Sequence, residues 1–374
     1  MRNAITSLAI VLLCITSCTS NSSFKINTQE VTSNLQQTIE VAEIPMMQVN
    51  YTSSSDNYQV ELYNPKYYTT QQQQKLAKDS LSHIFQAASL SKVVFATIVL
   101  KMAEDGKIEL DKPLYNYTNI DRFENKELAK KLTARMILSH RSGITDWCAS
   151  PSSENWPTAT ITFKNAPDSC FGYSGEAFAF LQRAVEDINH EGIDETAKKV
   201  IFKPLNMNLT SYLWLPIYDT LAVDGHNKAN ENRGLEPDPR ANVAYTLRTC
   251  ANDYTKFLQG LISGKIITKE NLERMTATPA VQAYGYADNH RECDSTIFWG
   301  LGIGIEVHPT MGKTLWHWGD NGTHKALFLL YPEKETSFIY MTNSNHGHEI
   351  IDNVTPLFFG ENAIYAISKW IVGL

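Results

Sequence analysis

One stretch of this chain is apolar on nearly every side. Residues 93–102 read Val-Val-Phe-Ala-Thr-Ile-Val-Leu-Lys-Met, and Asp105-Gly106 ends the run. A surface helix needs a polar face, so a helix of this composition belongs in the interior of a protein. The sequence therefore predicts a central buried helix, with the other elements of the fold packed around it.

The end of the chain has a different pattern. Four segments have the length and composition of strands, and residues 331–335 have the composition of a hairpin turn. These segments are Phe298–Val307, Thr314–Trp318, Ala326–Tyr331 and Thr336–Thr342. Alternation at Gln59–Tyr63 indicates an early strand, and helical spacing returns at Ala363–Val372.

Residues 107–265, between these regions, alternate helical patterns with long loops that contain Pro and Asn. This order predicts an α/β fold of the α+β type. We expect an antiparallel sheet flanked by helices and formed from both chain ends, with an inserted, mainly helical subdomain.

The first residues are typical of an export signal. Arg2 precedes a short apolar segment, residues 4–13, which is too short to cross a hydrocarbon core of about 30 Å as a mature helix. Residues 15–18, Ile-Thr-Ser-Cys, resemble a bacterial lipobox. We expect a signal peptide at 1–17, a lipid on Cys18, a polar tether over 18–44 and a folded domain over 45–374. The protein would then be a periplasmic or outer-surface lipoprotein; a plain secretory peptide is the alternative.

The charge balance argues against nucleic acid as a partner. The chain carries 33 basic and 40 acidic side chains, a formal net charge of -7. No basic stripe is present that could displace the counterions of a phosphate backbone.

Four cysteines lie outside the export segment: Cys148, Cys170, Cys250 and Cys293. In an oxidising compartment they allow three pairings. We favour a disulfide between Cys148 and Cys170 as a staple across a loop, with buried free thiols as the alternative. Their wide spacing lacks the Cys-x-x-Cys clusters of zinc sites, so no metal is predicted.

Ser89-Leu90-Ser91-Lys92 opens the predicted central helix. A spacing of three places Ser89 and Lys92 on one helix face, one turn apart. Burial disfavours a charged ammonium, so the pKa of Lys92 should fall and let the amine accept the serine proton. Unpaired N–H groups at the helix start can stabilise an oxyanion. By itself, Ser-x-x-Lys also fits an N-cap serine followed by a surface lysine.

Three segments, in order, resemble the motifs of a known superfamily. Residues 85–92 look like the active-site segment of the serine β-lactamases and penicillin-binding proteins, in the branch of class C β-lactamases, D-alanyl-D-alanine carboxypeptidases and related esterases. Residues 171–176 resemble the second motif, Tyr-x-Asn, and residues 317–319 the third, Lys-Thr-Gly or His-x-Gly. Residues 132–144 resemble a helix and turn of this branch, in which His140 would hold the turn.

The resemblance, which covers residues 45–372, implies roles for the site residues. Ser89 would be the nucleophile, and Lys92 and Tyr173 would share the proton transfers, with Tyr173 serving the leaving group. A tyrosine does this near neutral pH only if adjacent positive charge lowers its pKa. The backbone N–H groups of Ser89 and Asp320 would form the oxyanion hole, and His317 would orient the substrate or assist proton traffic. No cofactor is implied.

Two residues depart from the family pattern. Gly175 stands where the second motif has Asn, which removes an amide that would grip a substrate carbonyl. His317 replaces a lysine whose permanent charge favours a substrate carboxylate. Both departures suit a peptidase or an esterase better than a penicillin-hydrolysing enzyme.

We expect Gly175, Trp318 and Gly319 to contact the substrate, and the loop from residue 147 to residue 170 to form the cleft mouth. Tyr212 and Trp214 either line the pocket opposite this loop or serve in packing.

The sequence thus predicts an exported serine hydrolase that acts on an amide or ester carbonyl of an envelope peptide, an ester or a β-lactam. A small-molecule or peptide substrate, and a membrane reached by the lipid anchor, are the expected partners. The alternative is a catalytically silent, penicillin-binding-like lipoprotein that binds envelope peptides. The sequence indicates no oligomeric state.

Overall fold

A large antiparallel sheet organises the computed structural model, which describes residues 26–277, 281–283 and 295–372. The strands are β1 (Met46–Thr52), β2 (Asn57–Tyr63), β3 (Phe85–Gln86), β4 (Arg248–Thr249), β5 (Val281–Gln282), β6 (Ile297–Trp299), β7 (Gly304–His308), β8 (Gly312–Asp320), β9 (Lys325–Tyr331) and β10 (Thr336–Thr342). The order across the sheet is β2-β1-β10-β9-β8-β7-β6-β5, while β3 and β4 pair separately. Since β1 pairs with β10, the prediction of a sheet formed from both chain ends is confirmed.

Most of the helices lie in the insertion between β2 and β5, while one helix precedes β1 and three follow β10 among the described residues. The helices are α1 (Thr28–Val41), α2 (Thr70–Leu76), α3 (Ser91–Glu104), α4 (Lys126–Ala129), α5 (Ala134–Leu138), α6 (Gly175–Asn189), α7 (Ile193–Ala197), α8 (Tyr218–Leu221), α9 (Ala251–Ile262), α10 (Lys269–Ala277), α11 (Ile351–Val354), α12 (Pro356–Phe359) and α13 (Ala366–Val372). The mainly helical insertion, and with it the α+β fold, is therefore as predicted.

The predicted central helix is α3. Every side chain from Val93 to Leu100 is buried, and each large aliphatic one contributes about 1.5–3 kcal/mol by leaving water. Successive side chains of β8 point to opposite faces, so Leu315 packs into the cluster that contains α3, while Trp316 joins a second cluster on the other face. The sheet therefore has a core on each side. The N-terminal end of α3 lies beside the end of β8.

The segment expected to be a polar tether to residue 44 is helical from Thr28, which corrects that prediction. Val31, Leu35 and Ile39, spaced four apart, form a buried stripe on α1. The Asn27 side chain caps the helix by accepting the Glu30 N–H. Three apolar residues among many polar ones are a weak periodic signal, and their burial against the sheet makes the helix part of the folded body.

The strand predicted over residues 298–307 is divided into β6 and β7 by a turn. Gly302 in this turn has a φ of +76°, and a Cβ there would lie 2.3 Å from the Cβ of Ala96 in α3. The turn therefore needs glycine both for its left-handed backbone and for its close approach to the central helix.

Candidate active site

Ser89 lies in a short turn that leads into α3. The turn spans Ala88–Leu90, and Ala88 adopts a left-handed φ of +48°. On one side of the turn the Ala87 N–H donates to the Leu247 carbonyl at 2.8 Å, and on the other the Leu247 N–H donates to Ser91 Oγ at 3.0 Å. These bonds hold the half-buried Ser89 at the entrance of the buried helix, which is an arrangement typical of functional sites with local strain.

Lys92 lies one turn further along α3 and is only 2% exposed. Its Nζ is 3.1 Å from Ser89 Oγ and donates to the Ala244 carbonyl at 2.7 Å. Burial lowers the pKa of Lys92 to about 7, although the negative charge of Asp146 opposes the shift. The expectation of a buried lysine with a depressed pKa beside the serine is confirmed, and the surface-lysine alternative is wrong.

Tyr173 covers the other side of this pair. Lys92 Nζ lies 4.8 Å from the centre of the Tyr173 ring, and the tyrosine hydroxyl is shielded from solvent on the side of the cleft where Ser89 lies. Burial raises the pKa of Tyr173 well above its usual value, and the neighbouring Ser89 hydroxyl opposes the shift. The lowered pKa that the resemblance requires of this tyrosine is thus not found, and Tyr173 keeps its proton at neutral pH.

His140 supports the Tyr173 segment, as the resemblance implied. The two rings stack with centroids 4.2 Å apart. The Ser174 N–H donates to His140 Nδ1 at 3.2 Å, and the Gly172 N–H donates to the His140 carbonyl at 2.7 Å. Burial keeps the pKa of His140 well below its ordinary value, so this histidine is a neutral platform under the tyrosine.

The end of β8 approaches Ser89 through Gly319. A Cβ at Gly319 would lie 2.3 Å from the Ala87 carbonyl oxygen, so a side chain there would push the strand away from the nucleophile. Gly319 thus lets the end of β8 lie close to the turn that carries Ser89. It is not among the residues that line the cavity. Beyond it, the carboxylate of Asp320 forms an ion pair with Lys325 and accepts the Gly322 N–H at 2.7 Å. These contacts fix the turn that carries the Asp320 backbone.

His317 is fully buried behind this strand end. Its Nδ1 lies 2.7 Å from the Trp318 carbonyl, and because a carbonyl only accepts, Nδ1 carries the proton. Its Nε2 has no hydrogen-bond partner among the described residues. Burial and the nearby Lys92 lower the pKa of His317 to about 3. His317 is thus uncharged and does not line the cavity.

A cavity of about 710 Å³ opens above Ser89. Its lining residues come from both sides of the cleft: Gln86, Ser89, Lys92, Asp146, Trp147, Ser150, Pro151, Ser152, Tyr173, Gly175, Glu236, Pro237, Asp238, Pro239, Ala244, Tyr245, Trp318, Asp320 and Asn321. Of the substrate-contacting residues predicted from sequence, Gly175 and Trp318 are present. The expected loop at the cleft mouth supplies residues 147 and 150–152. This volume is in the range of small-molecule sites.

Gly175 and Trp147 share one space in this cavity. A Cβ at Gly175 would lie 2.1 Å from an atom of the Trp147 ring, and that ring meets Tyr245 edge-on at 5.9 Å. The indole therefore occupies the position that a side chain at 175 would need. Sequence reasoning identified the missing amide but not the tryptophan that replaces it.

Two residues expected at the pocket lie elsewhere. Tyr212 is buried, and its hydroxyl donates to the Ser91 carbonyl at 2.8 Å, so it braces the start of α3 from within. Trp214 donates to Asp219 at 2.7 Å and lies under the Arg248 guanidinium. Neither lines the cavity, so packing, the alternative, is correct for both.

The disulfide expected between Cys148 and Cys170 is also absent, since both residues are free thiols. The Cys148 thiol donates to the buried Glu176 carboxylate at 3.1 Å, and Arg122 contacts both groups. Burial and Glu176 raise the pKa of Cys148 to about 11. The cysteine is therefore engaged in a polar cluster below the loop. Cys18 and Cys293 lie outside the described residues.

The acidic wall of the cavity was not anticipated. Residues 236–239, Glu-Pro-Asp-Pro, follow a region without regular structure, and no motif marks them. Asp146 also lines the cavity, where it accepts the Gly175 N–H at 2.7 Å at the start of α6.

Among the residues that the structure describes, no helix is both long enough and apolar enough to cross a membrane.

Similarity to known sequences agrees with the geometry. The sequence profile of the β-lactamase family matches residues 57–355. A protein of Bacillus subtilis strain 168, described as penicillin-binding protein PbpX, is 22% identical over 209 residues. This match covers 54% of the chain and 52% of that protein, so close to half of the relative has no counterpart in the alignment.

Solved structures share the fold. A D-stereospecific amidohydrolase from Streptomyces sp. has a TM-score of 0.70 at 17% identity, covering 88% of this chain and 98% of that one. A β-lactamase/D-alanine carboxypeptidase from Pseudomonas syringae has a TM-score of 0.70 at 12% identity, covering 87% and 97%. At such identities the likeness is one of fold.

Proposed function

We propose, from the premise that this chain belongs to the β-lactamase family, that it is a serine hydrolase working through an acyl-enzyme at Ser89. One observation carries the proposal: Lys92 Nζ lies 3.1 Å from Ser89 Oγ, with its pKa lowered to about 7 by burial. Near neutral pH a large share of this amine is uncharged and can accept the serine proton. A buried lysine without such a task would only destabilise the fold.

Lys92 takes the proton of Ser89 as Oγ attacks the carbonyl carbon, and the carbonyl electron pair moves to oxygen. The backbone N–H groups of Ser89 and Asp320 hold that oxyanion. As the bond to the leaving group breaks, the Tyr173 hydroxyl gives its proton to the departing nitrogen or oxygen and regains one from Lys92. Water then attacks the acyl-enzyme by the same route in reverse, releasing the acid and restoring the Ser89 hydroxyl. The raised pKa of Tyr173 supports this proton-carrying role over that of a resting base.

The substrate is proposed to be a peptide amide or an ester and not a penicillin. Trp147 fills the space of the missing amide at Gly175, and His317 is uncharged and buried, so neither offers the carbonyl grip or the positive charge that the family pattern uses. Amide or ester acyl transfer needs neither group, because Ser89, Lys92 and Tyr173 supply the chemistry.

A fluorophosphonate probe with intact-mass detection tests the proposal. We expect one adduct on the wild type and none on Ser89→Ala, with Ser91→Ala as a control for the neighbouring hydroxyl. An unlabelled wild type at every pH tested would instead support the alternative, a silent protein that binds envelope peptides.

Export as a lipoprotein is proposed from residues 1–18 of the sequence. A radiolabelled fatty acid should be incorporated into the wild-type chain and not into Cys18→Ser. Release of an unlabelled, soluble wild-type protein would favour the plain secretory peptide.

A further inference from the structure

Acidic side chains dominate the wall of the cavity above Ser89. Asp146, Glu236, Asp238 and Asp320 line it, whereas Lys92 is its single Lys or Arg side chain among the described residues. Lys92 is also the residue whose charge burial suppresses. The cavity therefore has an excess of negative charge.

Three of these four carboxylates are compensated or engaged. Asp238 forms an ion pair with Arg248 at 3.0 Å, and Asp320 forms one with Lys325. Asp146 accepts the Gly175 N–H, and it acts on Lys92 at longer range. Each of these acids thus has a structural task within the protein.

Glu236 differs from the other three because neutral groups hold it. Its Oε2 accepts the Thr323 hydroxyl at 2.8 Å and the Gln86 amide at 3.3 Å. Gln86 is in turn fixed by Asn321, whose Nδ2 donates to Gln86 Oε1 at 2.7 Å. The nearby Arg248 guanidinium binds the Glu236 main-chain carbonyl and the Asp238 carboxylate, and it forms no ion pair with the Glu236 side chain. Neutral donors thus orient the Glu236 carboxylate at the cavity, and Arg248, whose ion pair is with Asp238, acts on the Glu236 charge only at longer range.

The surroundings of Glu236 suit a cation. Tyr245 and Trp147 line the same cavity, and aromatic rings attract ammonium groups. At the third motif the permanently charged lysine is replaced by the buried, neutral His317. Electrostatic complementarity therefore favours a positively charged substrate over one bearing a carboxylate.

We propose that Glu236 determines specificity by binding a protonated amine of the substrate, so that the preferred acyl donors are amides or esters with a primary ammonium group near the scissile carbonyl. This inference rests on the proposed function, because the amine is placed relative to an acylated Ser89. The segment 236–239 would then select the substrate, and the start of α3 would perform the reaction.

The test compares two substrates of the same shape. Alanine p-nitrophenyl ester, as D and L forms, carries the ammonium, and p-nitrophenyl isobutyrate has a methyl group in its place. The readout is the ratio of kcat/KM for the two, each divided by its spontaneous hydrolysis rate. We expect the wild type to favour the ammonium ester, Glu236→Gln to reduce the ratio about tenfold, and added salt to reduce it as well. The amide of Glu236→Gln keeps an oxygen for Thr323 and removes only the charge.

Glu231→Gln is the matched control. Glu231 is exposed in the same region, accepts the Asn227 amide at 2.8 Å and does not line the cavity, so its removal should leave the ratio unchanged.

One result would overturn this inference and leave the proposed function standing. In that result, isobutyrate ester hydrolysis requires Ser89, but the kcat/KM ratio of the ammonium ester to the isobutyrate ester is the same in the wild type and in Glu236→Gln. Failure of the wild type to hydrolyse either ester or to react with the fluorophosphonate would overturn both.

Discussion

The two walls of the cavity differ in how they are built. The inner wall is formed by the start of α3 and by Tyr173 over His140. Its Lys92 and His140 side chains are buried, Ser89 and Tyr173 are half-buried, and rings and backbone bonds hold them in place. The outer wall, residues 236–239 with 150–152, is largely exposed and without regular structure. Catalytic pKa shifts require burial, whereas recognition of a substrate charge requires an accessible group. We therefore assign reactivity to the inner wall and selectivity to the outer wall.

The largest expected effect comes from Lys92→Met on the inner wall. Removing the base should lower kcat/KM about 1,000-fold or more. The same change should raise the free energy of unfolding by about 1–3 kcal/mol at pH 6, because an ammonium is no longer buried. Enzyme kinetics and denaturant unfolding measure the two effects.

Lys101→Met is the control for that variant. Lys101 lies on the same helix, is paired with Asp105 at 2.8 Å and should affect neither activity nor stability by much. A Lys92→Met variant with wild-type activity would contradict the assignment of reactivity to the inner wall.

A smaller loss is expected for His140→Asn. Asn tolerates the left-handed backbone at this position, where φ is +54°, but it cannot stack on Tyr173. We expect kcat to fall by about 10- to 100-fold with little change in KM, because a loosened proton donor affects the reaction more than binding.

The control is His190→Asn. His190 is exposed at the end of α6 and has the same φ of +54°, so it isolates the stacking from the backbone effect. Equal kinetics for the two variants would show that His140 does not position Tyr173.

At the junction of the walls, Gly175→Ala should destabilise the protein by about 1–3 kcal/mol, because its Cβ would overlap the Trp147 ring. Gly172→Ala, where no atom lies within 4 Å of the added Cβ, should be near neutral. Thermal or denaturant unfolding gives both values. Adding Trp147→Ala to Gly175→Ala should relieve the overlap, and a purely additive loss would show that the ring does not compete for this space.

The smallest effect is expected from the thiols. Reducing agent, or Cys170→Ser, should leave the melting temperature of the folded protein unchanged, because Cys148 is engaged with Glu176 and not with Cys170. A melting temperature that drops by several degrees under reduction would show that a disulfide does join Cys148 and Cys170.

Much of the inner wall could be predicted from the sequence. The apolar run at 93–100 requires burial wherever it lies, and Lys92 directly before it is buried as a consequence. The strand at 326–331 is a continuous apolar run, the strand at 336–342 has Phe-Ile-Tyr-Met at its centre, and a turn separates them. Their bounds agree with β9 and β10 to within a residue.

The outer wall and the edges of the fold could not be predicted in this way. Helix α1 has only three buried apolar residues, and the elements that it packs against include α11 near the other end of the chain. The overlap of Trp147 with position 175 joins residues 28 apart through a loop. Glu236 reaches the cavity because the chain turns beside Thr323, a contact between residues 87 apart. Such contacts follow from tertiary packing and leave no local pattern.

The most direct test of the central claim is the pH dependence of Ser89 acylation, followed by intact mass during a single turnover of p-nitrophenyl isobutyrate. Below pH 7 Lys92 binds a proton and cannot accept another, so the acylation rate should rise with pH through an apparent pKa of about 7 and then level off. An acylation rate without this rise, or an adduct that persists in Ser89→Ala, would contradict the account.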